Sequence, residues 1–256
     1  MMLNDSALSD QEFLRYSRQL LLEDIGPEGQ ERLKKSRVLL VGMGGLGTPA
    51  ALYLAAAGVG TLTIADDDQL HISNLQRQIL YRTQDISRPK ATLAKQQLLA
   101  LNPLTEVVTL TERLAGETLR SAVQQVDLVL DCSDNMTTRH AINAACVQQQ
   151  TPLVSGSAVG FSGQLLVLTP PYPHGCYACL YPEATEPQRN CRTAGVLGPV
   201  VGVIGTLQAL EAIKLLAGLP SALSGKLRLF DGKQQSWKTF QLSRSACCPV
   251  CRGIAA

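Results

Sequence analysis

A chain of 256 residues can bury a substantial core as one large or two small domains, so an independent enzyme is feasible. Its composition, 45% hydrophobic and 17% charged with a formal net charge of +2, is ordinary for a globular protein and gives no strong field for nucleic acid or an anionic membrane. The longest apolar stretches, such as 195–209, are interrupted by glycine, proline or polar residues and read as too short to span a bilayer. The N-terminus turns acidic by Asp10 and Glu12 and lacks a leader pattern, so a cytosolic protein is expected. Eight cysteines in that reducing compartment favour metal ligation or catalysis over disulfides.

From the N-terminus, Phe13, Leu14, Leu20 and Leu21 interleave with Arg15 and Arg18, which predicts one amphipathic helix over 11–24. A buried strand over 37–41, a glycine turn at 42–47, an alanine- and leucine-rich helix ending near Gly58 and a second strand over 61–65 compose a βαβ unit. Pro89 starts a helix running to about Asn102, followed by strands over 107–110 and 127–131. The apolar runs 153–157 and 164–169, separated by glycines, suggest a hairpin that extends the sheet and makes it mixed. Prolines, charges and three cysteines over 170–195 read as a long, mobile functional loop, and a last helix over 200–217 precedes short strands at 227–230 and 237–242.

The turn Gly42-Met43-Gly44-Gly45-Leu46-Gly47 closes a strand and opens a helix, so its amides and the helix N-terminus can receive a phosphate. Asp66, nineteen positions after Gly47 and at the end of the next strand, is placed to bind ribose hydroxyls. A tight turn without a ligand is the plainer alternative, and a nicotinamide dehydrogenase fits these residues equally well. Arg77, within Asn74-Leu75-Gln76-Arg77-Gln78, and Lys90, within Arg88-Pro89-Lys90, suit phosphoryl or adenylyl transfer, in which fixed cations offset charge gathering on the phosphates. Either could instead be solvated surface charge. Asp134 and Asn135 follow a strand end, and one can hold magnesium while the other caps a helix.

Cys176-Tyr177-Ala178-Cys179 and Cys248-Pro249-Val250-Cys251 are two C-x-x-C pairs, and four thiolates with no open position describe a structural zinc site. Two redox pairs are the alternative, and Cys247 is a possible replacement for Cys248. Cys132 and Cys146 sit in apolar context and read as core. Cys191 lies between Arg189 and Arg192, whose charges favour a thiolate, so it is a candidate nucleophile or an incidental loop cysteine. Tyr16, Tyr53, Phe161 and Trp237 are scattered and read as core packing, and His71, His140 and His174 form no ligand-spaced cluster.

Together, Arg15-Tyr16-Ser17-Arg18-Gln19, the glycine turn, 74–78, 88–90, 131–135 and both cysteine pairs in order resemble the ThiF/MoeB adenylyltransferases, relatives of the ubiquitin-activating enzymes. The stretches 190–195 and 198–202 are more similar to the thiamine-pathway branch than to the molybdopterin branch. The resemblance implies one domain over 1–256, with a Rossmann-like ATP-binding part over 1–170 built on a mixed, mostly parallel sheet extended by antiparallel strands. Residues 171–256 would then carry the crossover loop, the zinc site (one Zn2+ per chain) and a carrier-binding sheet extension. ATP with Mg2+ would lie over Gly44 and Gly45, its ribose on Asp66 and its phosphates near Asn74, Arg77 and Lys90, with the metal at Asp134 beside Asn135. The resemblance further implies a homodimer in which Arg18 reaches the neighbouring subunit's ATP. The implied substrate is the C-terminal Gly-Gly of a ubiquitin-like sulfur carrier, adenylated before a persulfide donor delivers sulfur, with Cys191 forming a covalent link to the carrier. Activation of the molybdopterin-synthase carrier and a zinc-stapled scaffold without chemistry are the competing readings.

Overall fold

The computed structural model describes residues 7–185 and 191–253, apart from the side chains of Cys191 and Arg192. Ser9 caps α1 (Asp10–Arg15): its hydroxyl accepts from the Glu12 amide while the Glu12 carboxylate accepts from the Ser9 amide and pairs with Lys34 at 3.0 Å. The expected single helix over 11–24 breaks at Tyr16 (φ −101°, ψ 12°), and α2 (Ser17–Leu20) restarts after it. The break turns Tyr16 inward to Asn102, a long-range contact that local periodicity does not encode. α3 (Gly26–Lys35) then leads into β1 (Arg37–Val41), α4 (Gly47–Ala56) and β2 (Thr61–Ala65), the βαβ unit the sequence predicts.

Next come α5 (Lys90–Leu101), β3 (Glu106–Leu110), α6 (Gly116–Gln124), β4 (Leu128–Asp131), α7 (Met136–Gln149), β5 (Leu153–Val159) and β6 (Ser162–Leu168). The chain continues through α8 (Tyr177–Leu180), α9 (Cys191–Ala194), α10 (Gly198–Leu216), β7 (Lys226–Asp231) and β8 (Ser236–Gln241). The strands form one mixed sheet in the order β3-β2-β1-β4-β5-β6-β7-β8, parallel as far as β5 and antiparallel from β6 onward. Helices cover both faces of the parallel part, which is why its strands read as unbroken apolar runs. Val38 and Leu40 face a core with α4, α5 and α10, whereas Leu39 and Val41 face a second core with α6, α7 and the cysteine knuckles.

Three expectations need correction. Gly198–Leu216, at 19 residues with mean hydropathy 1.5, is long and apolar enough by length and composition to cross a membrane. It packs against α4, β5 and β6, and buries the polar Gln208 and Glu211. Tyr53 and Phe161 are exposed rather than core, while Tyr16 is buried and Trp237 lies beside Phe230. The start of the expected mobile loop is packed, with Tyr172, Cys176, Tyr177 and Ala178 all buried. Cys132 and Cys146 are core residues as expected, and burial pushes both thiols up, away from reactivity.

Candidate active site

The glycine turn is shaped by backbone crowding. Gly42 has φ +97°, and a side chain there would meet the Cys132 carbonyl at 2.7 Å; a Cβ at Gly47 would lie 1.9 Å from the Gly42 carbonyl. A Cβ at Gly44 would meet nothing nearer than Gln78 Nε2 at 3.6 Å, an ordinary contact, so that glycine answers to the space in front of it. The intervening Met43 is pinned from two sides: its amide donates to Asp66 Oδ2 at 2.7 Å, and its carbonyl accepts from the Tyr81 hydroxyl at 2.8 Å. Among the described residues no side chain caps the N-terminus of α4; the Thr48 amide donates to the Gly44 carbonyl at 3.0 Å and Pro49 has no N–H, so an anion there would be met by the amides of the turn that precedes the helix.

In front of the turn lies a cavity of about 700 Å³. It is lined by Gly44, Gly45, Asp66, Asn74, Arg77, Lys90, Asp134 and Asn135, all the nucleotide-contact residues expected from the sequence. Lys90, the first residue of α5, is 4% exposed, and its ammonium donates to Asp68 Oδ2 at 2.8 Å. Arg77 uses one guanidinium nitrogen on the Ser73 carbonyl at 3.0 Å. Burial pushes the Asp66 carboxyl up from its ordinary range, against the opposing pull of Lys90 and the Met43 and Asp68 amides. Asn135 is the helix cap, accepting from the Thr138 amide at 2.9 Å; Asp134 is exposed at the cavity rim. A smaller cavity of about 170 Å³ adjoins, and Asp66, Ser133 and Asp134 line both.

The cavity floor holds residues that the sequence reading did not single out. Arg139, 6% exposed, donates to Asp131 Oδ2 at 3.2 Å, to the Gly156 carbonyl at 2.8 Å, to Ser155 Oγ and to the Ser133 carbonyl. Asp131 also accepts from the Ser133 amide and hydroxyl and from the Ser155 hydroxyl. The available signal was a lone charge in the first turn of α7, a helix otherwise free of Asp, Glu, Lys and Arg that follows a strand ending in aspartate. Gln78 is buried with Oε1 lacking a partner among the described residues, and Tyr181 donates to Gln164 Oε1 at 2.8 Å on the far wall. β4 pairs with β5 only as far as Asp131↔Ser155, and β5 runs on to Val159, so Ser157, Ala158 and Val159 border the cavity.

Beside Tyr177, which also lines the cavity, the two cysteine pairs converge. Cys176 and Cys248 sulfurs lie 3.8 Å apart, Cys179 and Cys251 3.4 Å, and all four within 4.8 Å of one another. Sulfurs at about 2.3 Å from a tetrahedral zinc stand about 3.8 Å from each other, so the cluster fits a metal ion, and zinc by its donor set. Although burial opposes a charge at Cys248, the Cys251 and Val250 amides bring that thiol down to about 7. Cys247 is exposed and outside the cluster.

The sequence pattern of the ThiF family matches residues 16–250, most of the chain, with every cavity residue named above and three of the four cluster cysteines. This chain belongs to the ThiF family. Among ThiF-family relatives, the Escherichia coli K12 sulfur carrier protein ThiS adenylyltransferase is 61% identical over 97% of this chain and 99% of its own. The E. coli molybdopterin-synthase adenylyltransferase is 44% identical over 95% and 98%. The crystal structure of E. coli MccB matches with a TM-score of 0.81 over 97% of this chain and 74% of that one; at 23% identity the likeness concerns the fold. Among the described residues, the cavity lining does not include the expected ThiF-family site residue Arg18. Arg18 is exposed on α2, and the Cys191 side chain falls outside the described residues, although its backbone opens α9.

Proposed function

We propose that this ThiF-family chain adenylates the C-terminal Gly-Gly carboxylate of a ubiquitin-like sulfur carrier of the ThiS type, preparing it for thiocarboxylate formation in thiamine biosynthesis. The observation that carries the reading is the convergence on one cavity of the glycine turn, Asp66, Asn74, Arg77, Lys90 and Asp134. The 61% identity to the E. coli ThiS adenylyltransferase supports the choice of carrier over the molybdopterin-synthase type. With the ribose on Asp66, which borders both cavities, the base enters the smaller and the triphosphate the larger.

The carrier carboxylate is ionised at neutral pH and needs no general base. One of its oxygens attacks the α-phosphorus, the bond from that phosphorus to the bridging oxygen breaks, and pyrophosphate leaves with the electron pair. The protein's task is to hold the two anions in line and offset the charge on the phosphates. Lys90 and Arg77, with the Gly44 and Gly45 amides, supply that compensation. Asp134, an exposed carboxylate at the rim, is the hard oxygen donor that suits Mg2+, and the ion when bound adds positive charge to the phosphates.

In this reading the four cysteines hold one structural Zn2+, which staples the 176–179 segment to the C-terminal region. The chain works in the cytoplasm as a homodimer: Phe13, Leu14, Leu21 and Leu22 are exposed large apolar side chains surrounding Arg18 in sequence, a surface suited to a second copy whose ATP Arg18 completes. After adenylation a persulfide donor passes its outer sulfur to Cys191 and leaves as a thiolate, the Cys191 persulfide displaces AMP from the carrier's acyl-adenylate, and a thiol reductant cleaves the resulting acyl disulfide to free the thiocarboxylate. Exchange of labelled pyrophosphate into ATP tests the first step. It should appear with a ThiS-type carrier, and its absence with both ThiS-type and molybdopterin-type carriers refutes adenylation. Cys191→Ser should leave exchange intact and impair thiocarboxylate formation.

A further inference from the structure

Of the five residues Arg15-Tyr16-Ser17-Arg18-Gln19, three are tied to the C-terminal ends of α4 and α5. Arg15 donates to the Leu101 carbonyl at 3.2 Å. The Tyr16 ring crosses Gly58 so closely that a Cβ there would stand 2.5 Å from Cζ. The Tyr16 hydroxyl accepts from Asn102 Nδ2 at 2.9 Å, and the same amide donates to the Ala55 carbonyl at 2.7 Å. Gln19 Nε2 donates to the Ala57 carbonyl at 3.0 Å and to Gln30 Oε1 at 2.7 Å, while Gln30 Nε2 donates to the Ala57 carbonyl at 2.8 Å. Asn102 and Gln30 are fully buried, whereas Ser17 and Arg18 are exposed.

Helices of six and four residues cannot hold a fixed geometry alone, so this anchoring decides where Arg18 points. The anchor is also the far end of the site's own framework. α4 begins at the glycine turn and α5 at Lys90, and at 1.5 Å per residue they are rods of about 15 and about 18 Å. The chain thus mounts Arg18 on the outer ends of two helices whose inner ends form its own nucleotide cavity.

We propose that Tyr16 and Gln19 are positioning residues that hold Arg18 where it reaches the nucleotide bound by a second copy of this chain. The proposal rests on the reading that Arg18 acts in the partner's site. Displacing a charged group from a transition state by about 1 Å costs on the order of 10- to 100-fold in rate, so Gln19→Ala should slow pyrophosphate exchange by about that factor, and Tyr16→Phe by less.

Heterodimers purified through two different tags test it, each pairing a variant with an Asp134→Ala chain. In such a pair one site combines the variant's own cavity with Arg18 from the Asp134→Ala chain. Q19A/D134A and Y16F/D134A heterodimers should recover about half the wild-type exchange rate, one sound site of two. Recovery also requires that the Q19A cavity itself be sound, which a merely misfolded variant could not provide. R18A/D134A is the control for the underlying reading. If it recovers and Q19A/D134A stays as slow as the Q19A homodimer, Gln19 serves its own site and the positioning role is refuted. If R18A/D134A also stays inactive, Arg18 does not act across the dimer, and both the reading and the proposal fall.

Discussion

Arg139→Met should destabilise the protein by about 3 kcal/mol, because it leaves the Asp131 carboxylate charged and buried; removing one partner of a buried ion pair costs about 3–5 kcal/mol. Asp131 is 1% exposed, so water cannot take over. Three hydrogen bonds remain to it, from the Ser133 amide and from the Ser133 and Ser155 hydroxyls, and these hold the loss near the lower end of that range. For a chain of this length such a loss lowers the melting temperature by about 6–12 °C. Adding Asp131→Asn removes the stranded charge, so the double variant should melt above the single one. Exchange activity should not return with it, since the Ser133 carbonyl, next to Asp134, still lacks its guanidinium donor. The assay is thermal unfolding of the zinc-loaded protein, read by calorimetry. A single variant that loses less than about 1 kcal/mol, or a double variant no better than the single, refutes the claim that charge pairing rather than packing holds this floor together.

The glycines of the turn should separate by role. Gly47→Ala, whose Cβ would stand 1.9 Å from a backbone oxygen, should cost about 3 kcal/mol or prevent folding, while Gly44→Ala should leave the melting temperature unchanged and raise the KM for ATP about tenfold; equal melting losses would contradict this division. A zinc-selective chelator, with magnesium in excess, should lower the melting temperature before it slows exchange, and a protein that melts unchanged after verified zinc removal would dismiss the structural role. Asp134→Ala, at an exposed position, should melt as the wild type does yet lose exchange by about 100-fold, and retained exchange would remove Asp134 from the phosphate site.

Legibility in the sequence followed the range of the forces involved. β1, β2 and β4 were readable because strands covered on both faces become short apolar runs, ended here by Gly42, Asp66 and Cys132. The residues at those strand ends were readable for the same reason, since a ligand site on a parallel sheet lies beyond its C-terminal edge. α3 was not: in Gly-Pro-Glu-Gly-Gln-Glu-Arg-Leu-Lys-Lys the only large apolar residue is Leu33, and burial of Gln30 on long-range partners substitutes for a hydrophobic face. The break at Tyr16 was hidden likewise, because its cause is Asn102, distant in sequence. Arg139 was obscured by its destination: an arginine on an early helical turn reads as solvated unless the aspartate it neutralises is known to be buried beneath it.

The reversal of strand direction gives the cavity its two-sided character. Up to β5 every strand runs parallel, so the turn after β1, Asp66 after β2 and Asp134 after β4 gather at one edge, where α4 also begins. A further parallel strand would have required another crossover helix over that edge. β6 instead returns antiparallel through a tight hairpin, and the last residues of β5 outrun β4 to border the nucleotide cavity. In the proposed reaction that border faces the carrier. An extended Gly-Gly tail carries no side chains and can lie close against exposed strand backbone. Arg139 ties the two sides together, since the guanidinium that holds the Ser133 carbonyl beside Asp134 also holds the Gly156 carbonyl of β5. One buried cation therefore sets the spacing between the nucleotide side and the carrier side, which is the distance an in-line attack on the α-phosphorus has to satisfy.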